Sequence, residues 1–196
     1  MTEFLIATNN EKKLIELDRI LNPLGIKAVT AKSKGIDLGD VEETGSTFAE
    51  NAYIKAKAAF DKCSLPVIAD DSGLCVDALD GRPGIYSARY GGHDSPYLTK
   101  INMLLEELKD VREADRGAHF TCSVCCILSP EKIIRVEGYC YGSIAFSPSG
   151  DGGFGYDPVF LVNGKSFASL SAEEKDRLSH RGNALRKLRD ELKNYL

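Results

Sequence analysis

The sequence predicts an α/β fold in which helices flank a long mixed β-sheet. Apolar strand-like runs alternate with helical stripes over the first hundred residues, which is typical of successive βα units. Two further β-rich runs, residues 120–128 and 133–141, flank Ser129-Pro130-Glu131-Lys132 and predict an antiparallel hairpin. Because a hairpin joins antiparallel strands, a mixed sheet fits the pattern better than a purely parallel one.

Bulk composition predicts one domain over residues 1–196, since the chain has 196 residues and 43% apolar content. The net charge of -4 argues against long duplex DNA or an anionic membrane surface as partner. The chain opens without a basic leader and has no apolar run near the roughly 20 residues of a membrane span, so we expect a cytoplasmic protein. Its six cysteines lie mostly in strand-like runs, which predicts reduced, buried thiols.

The first elements follow from local patterns. Residues 4–7 predict a buried strand, and a helical stripe of leucine and isoleucine then ends at Asn22-Pro23. Residues 26–30 predict a second strand. Thr47 and Glu50 have capping-box spacing and open an Ala-rich helix to about Lys62, after which residues 66–69 predict another strand.

The later helices carry cap signals. Ser95 and Pro96 predict a cap and a first-turn proline. The apolar face of the helix that follows consists of Leu98, Ile101, Leu104, Leu105 and Leu108. Ser171 and Glu174 form a second capping box, and a last helix has its apolar stripe at Leu185, Leu188 and Leu192.

The loop after the first strand is a candidate phosphate site. It consists of Thr8, Asn9, Asn10, Glu11, Lys12 and Lys13. It lies where a strand leads into a helix N-terminus, whose N–H groups and dipole favour an anion. It lacks the glycines of a Walker A loop. By itself the loop equally fits a polar helix cap with solvated lysines.

Two acidic clusters are candidate cation ligands. Glu42-Glu43 precede the Ala-rich helix, and Asp70-Asp71 follow the strand at residues 66–69. Two or three carboxylates from separate loops would satisfy magnesium, which keeps waters and substrate phosphates as its other ligands. A solvated acidic turn is the alternative for each cluster. Adjacent carboxylates on a strand point to opposite sides, so one of Asp70 and Asp71 can face structure and the other a site.

Two later segments could recognise a nucleobase. Residues 150–158 combine close-approach glycines with Phe154 and Tyr156, so a ring there could stack on a base, although such segments are also ordinary turns. Ser179-His180-Arg181-Gly182 and the upstream Lys175 offer hydrogen-bond donors, although a histidine at a helix start is often a surface cap. The CxxC of residues 122–125 has no second pair at metal spacing, which disfavours a zinc or redox role.

Taken in order, these segments resemble the inosine triphosphate pyrophosphatase family, which acts on non-standard purine nucleoside triphosphates. The matching residues are Thr8, Asn10 and Lys13 of the first loop, residues 42–52, 69–74, 81–90 and 152–158, and Ser179-His180-Arg181-Gly182. The resemblance implies an α/β subunit whose long mixed sheet forms two lobes around a nucleotide cleft. It also implies a homodimer, magnesium as cofactor and a small nucleotide as substrate.

The resemblance also implies roles for individual residues. Thr8, Asn10 and Lys13, within the loop that includes Asn9, Glu11 and Lys12, would bind the triphosphate together with Lys55. Asp71 would be the general base and a magnesium ligand, with Glu43 as the second ligand, although Glu42 is an alternative. Ser72 would contact substrate, and Arg89 would either reinforce the site or tie the lobes together. The nucleobase pocket would comprise Phe154, Gly155, Tyr156, Asp157, Lys175, His180 and Arg181.

The expected activity is hydrolysis of ITP, dITP and XTP to the monophosphate and pyrophosphate. Hypoxanthine and xanthine offer a 6-oxo acceptor to a donor such as His180 or Arg181, whereas the amino group of adenine would leave that donor unpaired. Two alternatives stay open. One is a pyrophosphatase for modified pyrimidine nucleotides, and the other is a nucleotide-binding regulator without catalysis.

Overall fold

The computed structural model describes residues 2–8, 10–39, 41–92, 94–193 and 195. Over these residues the strands are β1 Thr2–Ile6, β2 Ile26–Thr30, β3 Val67–Val76, β4 Gly117–Ser129, β5 Lys132–Ile144, β6 Phe160–Val162 and β7 Lys165–Ser166. The helices are α1 Glu11–Leu21, α2 Phe48–Phe60, α3 Tyr97–Glu107, α4 Ala172–Leu178 and α5 His180–Leu192. None of the helices in this described part of the chain is long and apolar enough to cross a membrane.

The described strands form one mixed sheet in the order β2-β1-β3-β4-β5-β6-β7. Strand β1 runs parallel to β2, with Phe4 opposite Ala28, and parallel to β3, with Leu5 opposite Val67. Strand β6 runs antiparallel to both β5 and β7. Strands β4 and β5 are neighbours joined only by Pro130 and Glu131, a connection that is short enough for a hairpin alone. The predicted mixed α/β sheet and its hairpin are confirmed.

The chain divides into two compact units. The first comprises the residues up to Asp71, Cys122–Gly138 and the residues from His180 onwards. Its part of the sheet is covered on both faces. Phe4, Ile6 and Ile68 belong to a core cluster with Leu17 of α1 and Leu185 of α5. The alternate residues Leu5, Val67 and Ala69 belong to a second cluster with the alanines of α2. The strand period of two therefore sorts side chains between two helical layers.

The second unit comprises Ser72–Thr121 and Tyr139–Ser179. Its core packs Ile101 and Leu104 of α3, with Leu108 just after the helix, against aromatic rings that include Phe120, Phe160 and Phe167. The rings of Phe120 and Phe160 meet edge to face with centroids 4.7 Å apart. This unit thus has an apolar interior of its own.

Four local predictions differ from the structure. Strand β3 extends through Val76, so Asp70 and Asp71 lie inside a ten-residue strand and do not follow it. Helix α3 begins at Tyr97 with Pro96 at the N-cap, because the Ser95 hydroxyl donates to the carbonyl of Gly91. Leu98, predicted on the apolar face of that helix, is 62% exposed. The segment 179–182 does not precede the last helix, since α5 begins at His180.

Candidate active site

The acidic pair at the centre of β3 defines the candidate site of the first unit. Because successive side chains of a strand alternate, Asp70 shares a face with Ile68 and Asp71 shares the opposite face with Ala69. Ile68 packs in the cluster of α1 and α5, whereas Ala69 packs in the cluster of α2. Each carboxylate is consequently directed to a different helical layer.

On the α2 side, Asp71 meets two side chains of that helix. The Asn51 amide donates to Asp71 Oδ2 at 3.3 Å, and the Lys55 ammonium donates to Asp71 Oδ1 at 3.1 Å. Lys55 also donates to Glu43 Oε1 at 2.7 Å, while Glu42 is exposed. Residues 51 and 55 are one helical turn apart, so a single face of α2 supplies both contacts. The helix is held at its start by Thr47, whose hydroxyl accepts from the Glu50 amide at 3.1 Å.

The charges around Asp71 act in opposite directions. Burial raises the pKa of Asp71, the Lys55 ammonium lowers it, and the charge of Glu43 raises it, so that the pKa is raised on balance. Burial by itself lowers the pKa of Lys55, but Asp71, Asp70 and Glu43 outweigh burial and raise it. Asp71 is therefore a more basic carboxylate than an ordinary aspartate.

Glu43 and Asp71 are suited to share a cation, because in the structure they already share the ammonium of Lys55. Within the described ranges, no group of three or more His, Cys, Asp or Glu side chains is gathered closely enough to hold a metal ion. A cation bound by these two carboxylates would take its other ligands from water and phosphate oxygens. That is the ligand set which magnesium prefers.

On the opposite face, Asp70 is the centre of a buried ion-pair network. Its Oδ2 accepts from Lys13 Nζ at 3.0 Å and from Arg181 Nη2 at 3.2 Å, and its side chain is 1% exposed. Arg181 also pairs with Glu16 of α1. Burial opposes ionisation of Asp70, but the charges of Lys13 and Arg181 outweigh it and hold the pKa of Asp70 well below its usual range.

The first loop is a capped helix start. Asn10 is the N-cap of α1, and its Oδ1 accepts from the backbone amides of Lys12 and Lys13 at 3.0 and 3.2 Å. Those amides are therefore satisfied by Asn10, as the helix-cap alternative expected. Lys13 differs from that alternative, because its side chain is 16% exposed and paired with Asp70. Thr8 accepts from the Asn10 amide, Glu11 and Lys12 are exposed, and the predicted residue Asn9 lies outside the described residues.

The second unit brings three of the predicted nucleobase residues together. Asp157 Oδ2 accepts from Lys175 Nζ at 2.8 Å and from the Phe154 amide at 2.7 Å. The same ammonium lies 4.6 Å from the centroid of the Phe154 ring. Gly153 has φ +70°, and a Cβ there would lie 2.1 Å from Asp157 Oδ2. A side chain at position 153 would consequently displace this carboxylate.

The other predicted residues of the second unit are Tyr156, Gly155, Ser72 and Arg89. Tyr156 is buried, donates to the Ser87 carbonyl at 3.0 Å and meets the Tyr97 ring edge to face at 5.8 Å. Gly155 has φ +67° and faces the Tyr97 ring. Ser72 is half-buried on β3, and the Arg89 guanidinium lies 5.0 Å from the centroid of the Tyr86 ring.

A protein-family model decides the family of this chain. The model of the Ham1 family matches residues 4–191, which is almost the whole chain. The chain belongs to the Ham1 family.

Curated relatives and solved structures agree with this classification. A Treponema denticola protein named dITP/XTP pyrophosphatase is 49% identical over 92% of this chain and 93% of its own length. The protein of that name from Geobacillus kaustophilus is 48% identical over 96% and 93%. Among solved structures, a HAM1 protein from Coxiella burnetii has a TM-score of 0.88 and 39% identity, covering 99% of this chain and all of its own. The Staphylococcus aureus Ham1 protein has a TM-score of 0.87 and 40% identity, with both chains fully covered. The family resemblance inferred from the motifs is confirmed.

Sequence reasoning missed two residues that contact predicted residues of this Ham1 site. Asn51 contacts Asp71, and Glu16 contacts Arg181 from the same helix as Lys13. The sequence did contain an indication of both, because Asn51 stands four residues before Lys55 and Glu16 stands three residues after Lys13. These spacings put each residue on the same helix face as the lysine. Arg181, predicted in the nucleobase pocket, has its guanidinium buried against Asp70 and Glu16. Only the fold could show which carboxylates it meets.

The cysteines of this Ham1 chain are all free thiols in the structure. Cys122, Cys125, Cys126 and Cys140 are buried, while Cys63 and Cys75 are half-buried. Burial raises the pKa of Cys122 and of Cys126 to about 12. Thiols with such pKa values stay protonated near neutral pH, which makes them poor nucleophiles and poor metal ligands.

Proposed function

We propose that this Ham1 chain hydrolyses the non-standard purine nucleoside triphosphates ITP, dITP and XTP to a nucleoside monophosphate and pyrophosphate. The curated relatives at 43–49% identity are named dITP/XTP pyrophosphatase, and a structure from Mycobacterium abscessus with a TM-score of 0.74 is titled Nucleoside-triphosphatase / dITP/XTP pyrophosphatase. The geometry that supports the proposal best is the Lys55 ammonium held jointly by Glu43 and Asp71. In this arrangement Asp71, a carboxylate of raised pKa, and Glu43 both contact the same cation.

Asp71 is the general base of the proposed reaction. It accepts a proton from the attacking water as the water oxygen bonds to the α-phosphorus, and the bond from that phosphorus to the bridging oxygen breaks to release pyrophosphate. The raised pKa of Asp71 increases its affinity for that proton. The amide of Asn51, which donates to Asp71 Oδ2, fixes the orientation of the carboxylate.

Charge neutralisation is the second requirement, since a triphosphate carries about four negative charges near neutral pH and repels a nucleophile. Lys13 and Lys55 supply positive charge from α1 and α2. Magnesium bound by Glu43 and Asp71 would add Lewis-acid polarisation of the phosphate oxygens. Thr8 and Asn10 complete the proposed triphosphate loop, and Ser72 follows Asp71 along β3.

The second unit holds the stacking ring and the polar pair that we assign to the nucleobase. Phe154 provides a ring for stacking, and the Lys175–Asp157 pair fixes polar groups beside that ring. His180 provides the donor for the 6-oxo group in this proposal, because the Arg181 guanidinium is engaged by Asp70 and Glu16. Adenine would leave that donor unpaired at a cost of about 1–3 kcal/mol.

The proposal is tested by a turnover screen with magnesium. ITP, dITP, XTP, dUTP, ATP and GTP are supplied in turn, and the nucleotide product and pyrophosphate are both quantified. We expect ITP and XTP to exceed ATP by a factor of tens to hundreds, in line with the cost of one unpaired donor. Preference for a pyrimidine triphosphate would assign the chain to the modified pyrimidine nucleotides.

Assembly and location belong to the same proposal. We infer a homodimer, as the family resemblance implies, and light scattering coupled to size exclusion measures its mass. We also infer that the protein acts in the cytoplasm. The free thiols of the structure suit a reducing compartment.

A further inference from the structure

The Asp70 network contains a lysine whose side chain is fixed before any ligand arrives. Lys13 lies in the first turn of α1, where lysines are commonly solvated, yet its ammonium bonds Asp70 Oδ2 at 3.0 Å. Its partner is deeply buried and is held in place by a second cation, Arg181, which in turn pairs with Glu16. All four residues belong to the first unit.

The sharing of one oxygen has an electrostatic consequence. Asp70 Oδ2 accepts from Lys13 and from Arg181 Nη2 and Nε, so a single negative charge is divided between two positive groups. The carboxylate consequently orients the Lys13 ammonium without fully cancelling its charge. An ammonium that is fixed in place and retains positive character binds a phosphate without first losing its rotational freedom.

We propose that Asp70 is a positioning residue for triphosphate binding and acts through Lys13. The inference rests on the proposed function and deepens it, since it adds to the site a residue of the face opposite Asp71. Asp70 itself does not touch the substrate. It holds the Lys13 ammonium where the β- or γ-phosphate is received, and Arg181 keeps Asp70 oriented.

The competing explanation is that the network only ties α1 and α5 to the sheet. If the role is purely structural, loss of Asp70 lowers the stability of the protein. The apparent affinity for phosphate then falls only as far as the folded fraction does. A positioning role predicts a change in substrate affinity that depends on the presence of Lys13. A double-mutant cycle separates the two.

The variants are Asp70→Asn, Lys13→Met, the double variant and Glu16→Gln. Glu16→Gln is the matched control, because it also removes a buried carboxylate charge from the network but leaves the Asp70–Lys13 pair in place. For each variant, kcat and KM for ITP are measured beside pyrophosphate affinity by calorimetry and the folded fraction by circular dichroism.

We expect Asp70→Asn to raise KM and the pyrophosphate Kd by about tenfold while kcat changes less than about threefold, the size of one lost charge-assisted contact. In the Lys13→Met background the same substitution should change either constant by less than about twofold, and Glu16→Gln should leave KM within about twofold of the native value. An unchanged or lowered KM in folded Asp70→Asn, or an effect of equal size in the Lys13→Met background, would overturn the inference.

Measurements on the native protein cover two further cases, absence of ITP turnover and failure of Asp70→Asn to fold. If the native chain fails to turn over ITP, the proposed function fails, and the calorimetric cycle with pyrophosphate still decides the role of Asp70. If Asp70→Asn does not fold, a crystal structure of the native chain with pyrophosphate decides it. We expect Lys13 Nζ to contact Asp70 and a phosphate oxygen together, and a Lys13 side chain turned away from Asp70 would contradict the inference.

Discussion

The carboxylate of Asp71 titrates under two opposing charges, and each can be removed separately. In the metal-free protein, Glu43→Gln removes a negative charge that raises the pKa of Asp71, so we expect that pKa to fall. Lys55→Met removes a positive charge that lowers it, so we expect the pKa to rise. Carboxyl 13C NMR titration of the metal-free variants measures both shifts. Shifts of the same sign in the two variants would contradict the arrangement described for this site.

Asp70 is expected to stabilise the fold above acidic pH. Its pKa is depressed in the folded state, so its contribution is fully present above the unfolded value of about 3.9 and is lost as the pH falls toward the folded pKa. Asp70→Asn leaves the buried Arg181 and the half-buried Lys13 without that charge, and we expect it to lower the free energy of unfolding by about 3–5 kcal/mol at pH 7. Urea denaturation from pH 7 to pH 3 tests both points. The variant should lose less stability on acidification than the native protein, and equal acid slopes would refute this.

At the scale of single residues, the sequence predicted which chemical groups form the site more accurately than it predicted which residues contact one another. The alternation of a strand predicted that Asp70 and Asp71 point to opposite sides, and the structure has them on opposite faces. Which helix lies on each face depends on tertiary packing, which a local pattern does not contain. For that reason only the fold shows that Asn51 contacts Asp71 and that Glu16 contacts Arg181.

Helix α2 depends on its N-cap. Thr47 accepts from the Glu50 amide, and the helix that it starts delivers Asn51 and Lys55 to Asp71. We expect Thr47→Ala to lower the free energy of unfolding by about 1 kcal/mol through loss of the cap. Thr99→Ala, on an exposed position of α3, is the control and should change it by no more than about 0.5 kcal/mol. Equal losses in the two variants would exclude capping as the cause.

Strand β5 and helix α5 approach closely at Gly138. A Cβ at this position would lie 2.2 Å from the His180 carbonyl oxygen and 2.3 Å from the Ala184 nitrogen. Both are backbone atoms that cannot turn aside, so we expect Gly138→Ala to destabilise the protein by about 1–3 kcal/mol or more.

Gly35→Ala is the matched control for that substitution. Its surroundings are open but its φ is +66°, so the new methyl group causes backbone strain without a clash. Thermal unfolding measures the stability of the Gly138→Ala and Gly35→Ala variants. A Cβ at position 138 would push against the His180 carbonyl in the first turn of α5. We therefore expect only the Gly138→Ala variant to lower ITP turnover as well. A stable and fully active Gly138→Ala would contradict the packing.

At the scale of elements, caps and apolar periodicity were sufficient to predict most helices and strands. The predicted caps Thr47 and Ser171 mark the starts of α2 and α4 in the structure, and the capping box is complete at Ser171. The extent of β3 was missed because Asp70-Asp71-Ser72-Gly73 has little strand propensity, and pairing within the sheet overrides propensity. Ser95 was misassigned because its hydroxyl bonds the turn before the helix.

At the scale of the whole molecule, the order of motifs along the chain predicted the family, and the strand and hairpin pattern predicted the mixed sheet. Which residues belong to each of the two compact units follows from long-range contacts. The net charge of -4 likewise does not reveal where cations lie in the interior, which are Arg181 beside the half-buried Lys13 in the first unit and Lys175 in the second. Composition excludes classes of partner, but the local field depends on which carboxylates the fold brings to each cation.

The most direct test of the account follows ITP with magnesium in the native protein and in Asp71→Asn, with the folded fraction and ITP binding measured in parallel. We expect the native protein to form equal amounts of IMP and pyrophosphate. Asp71→Asn should bind ITP yet turn it over about 100- to 10,000-fold more slowly, the range for loss of a general base. Release of inorganic phosphate in place of pyrophosphate, or native turnover by folded Asp71→Asn, would contradict the account.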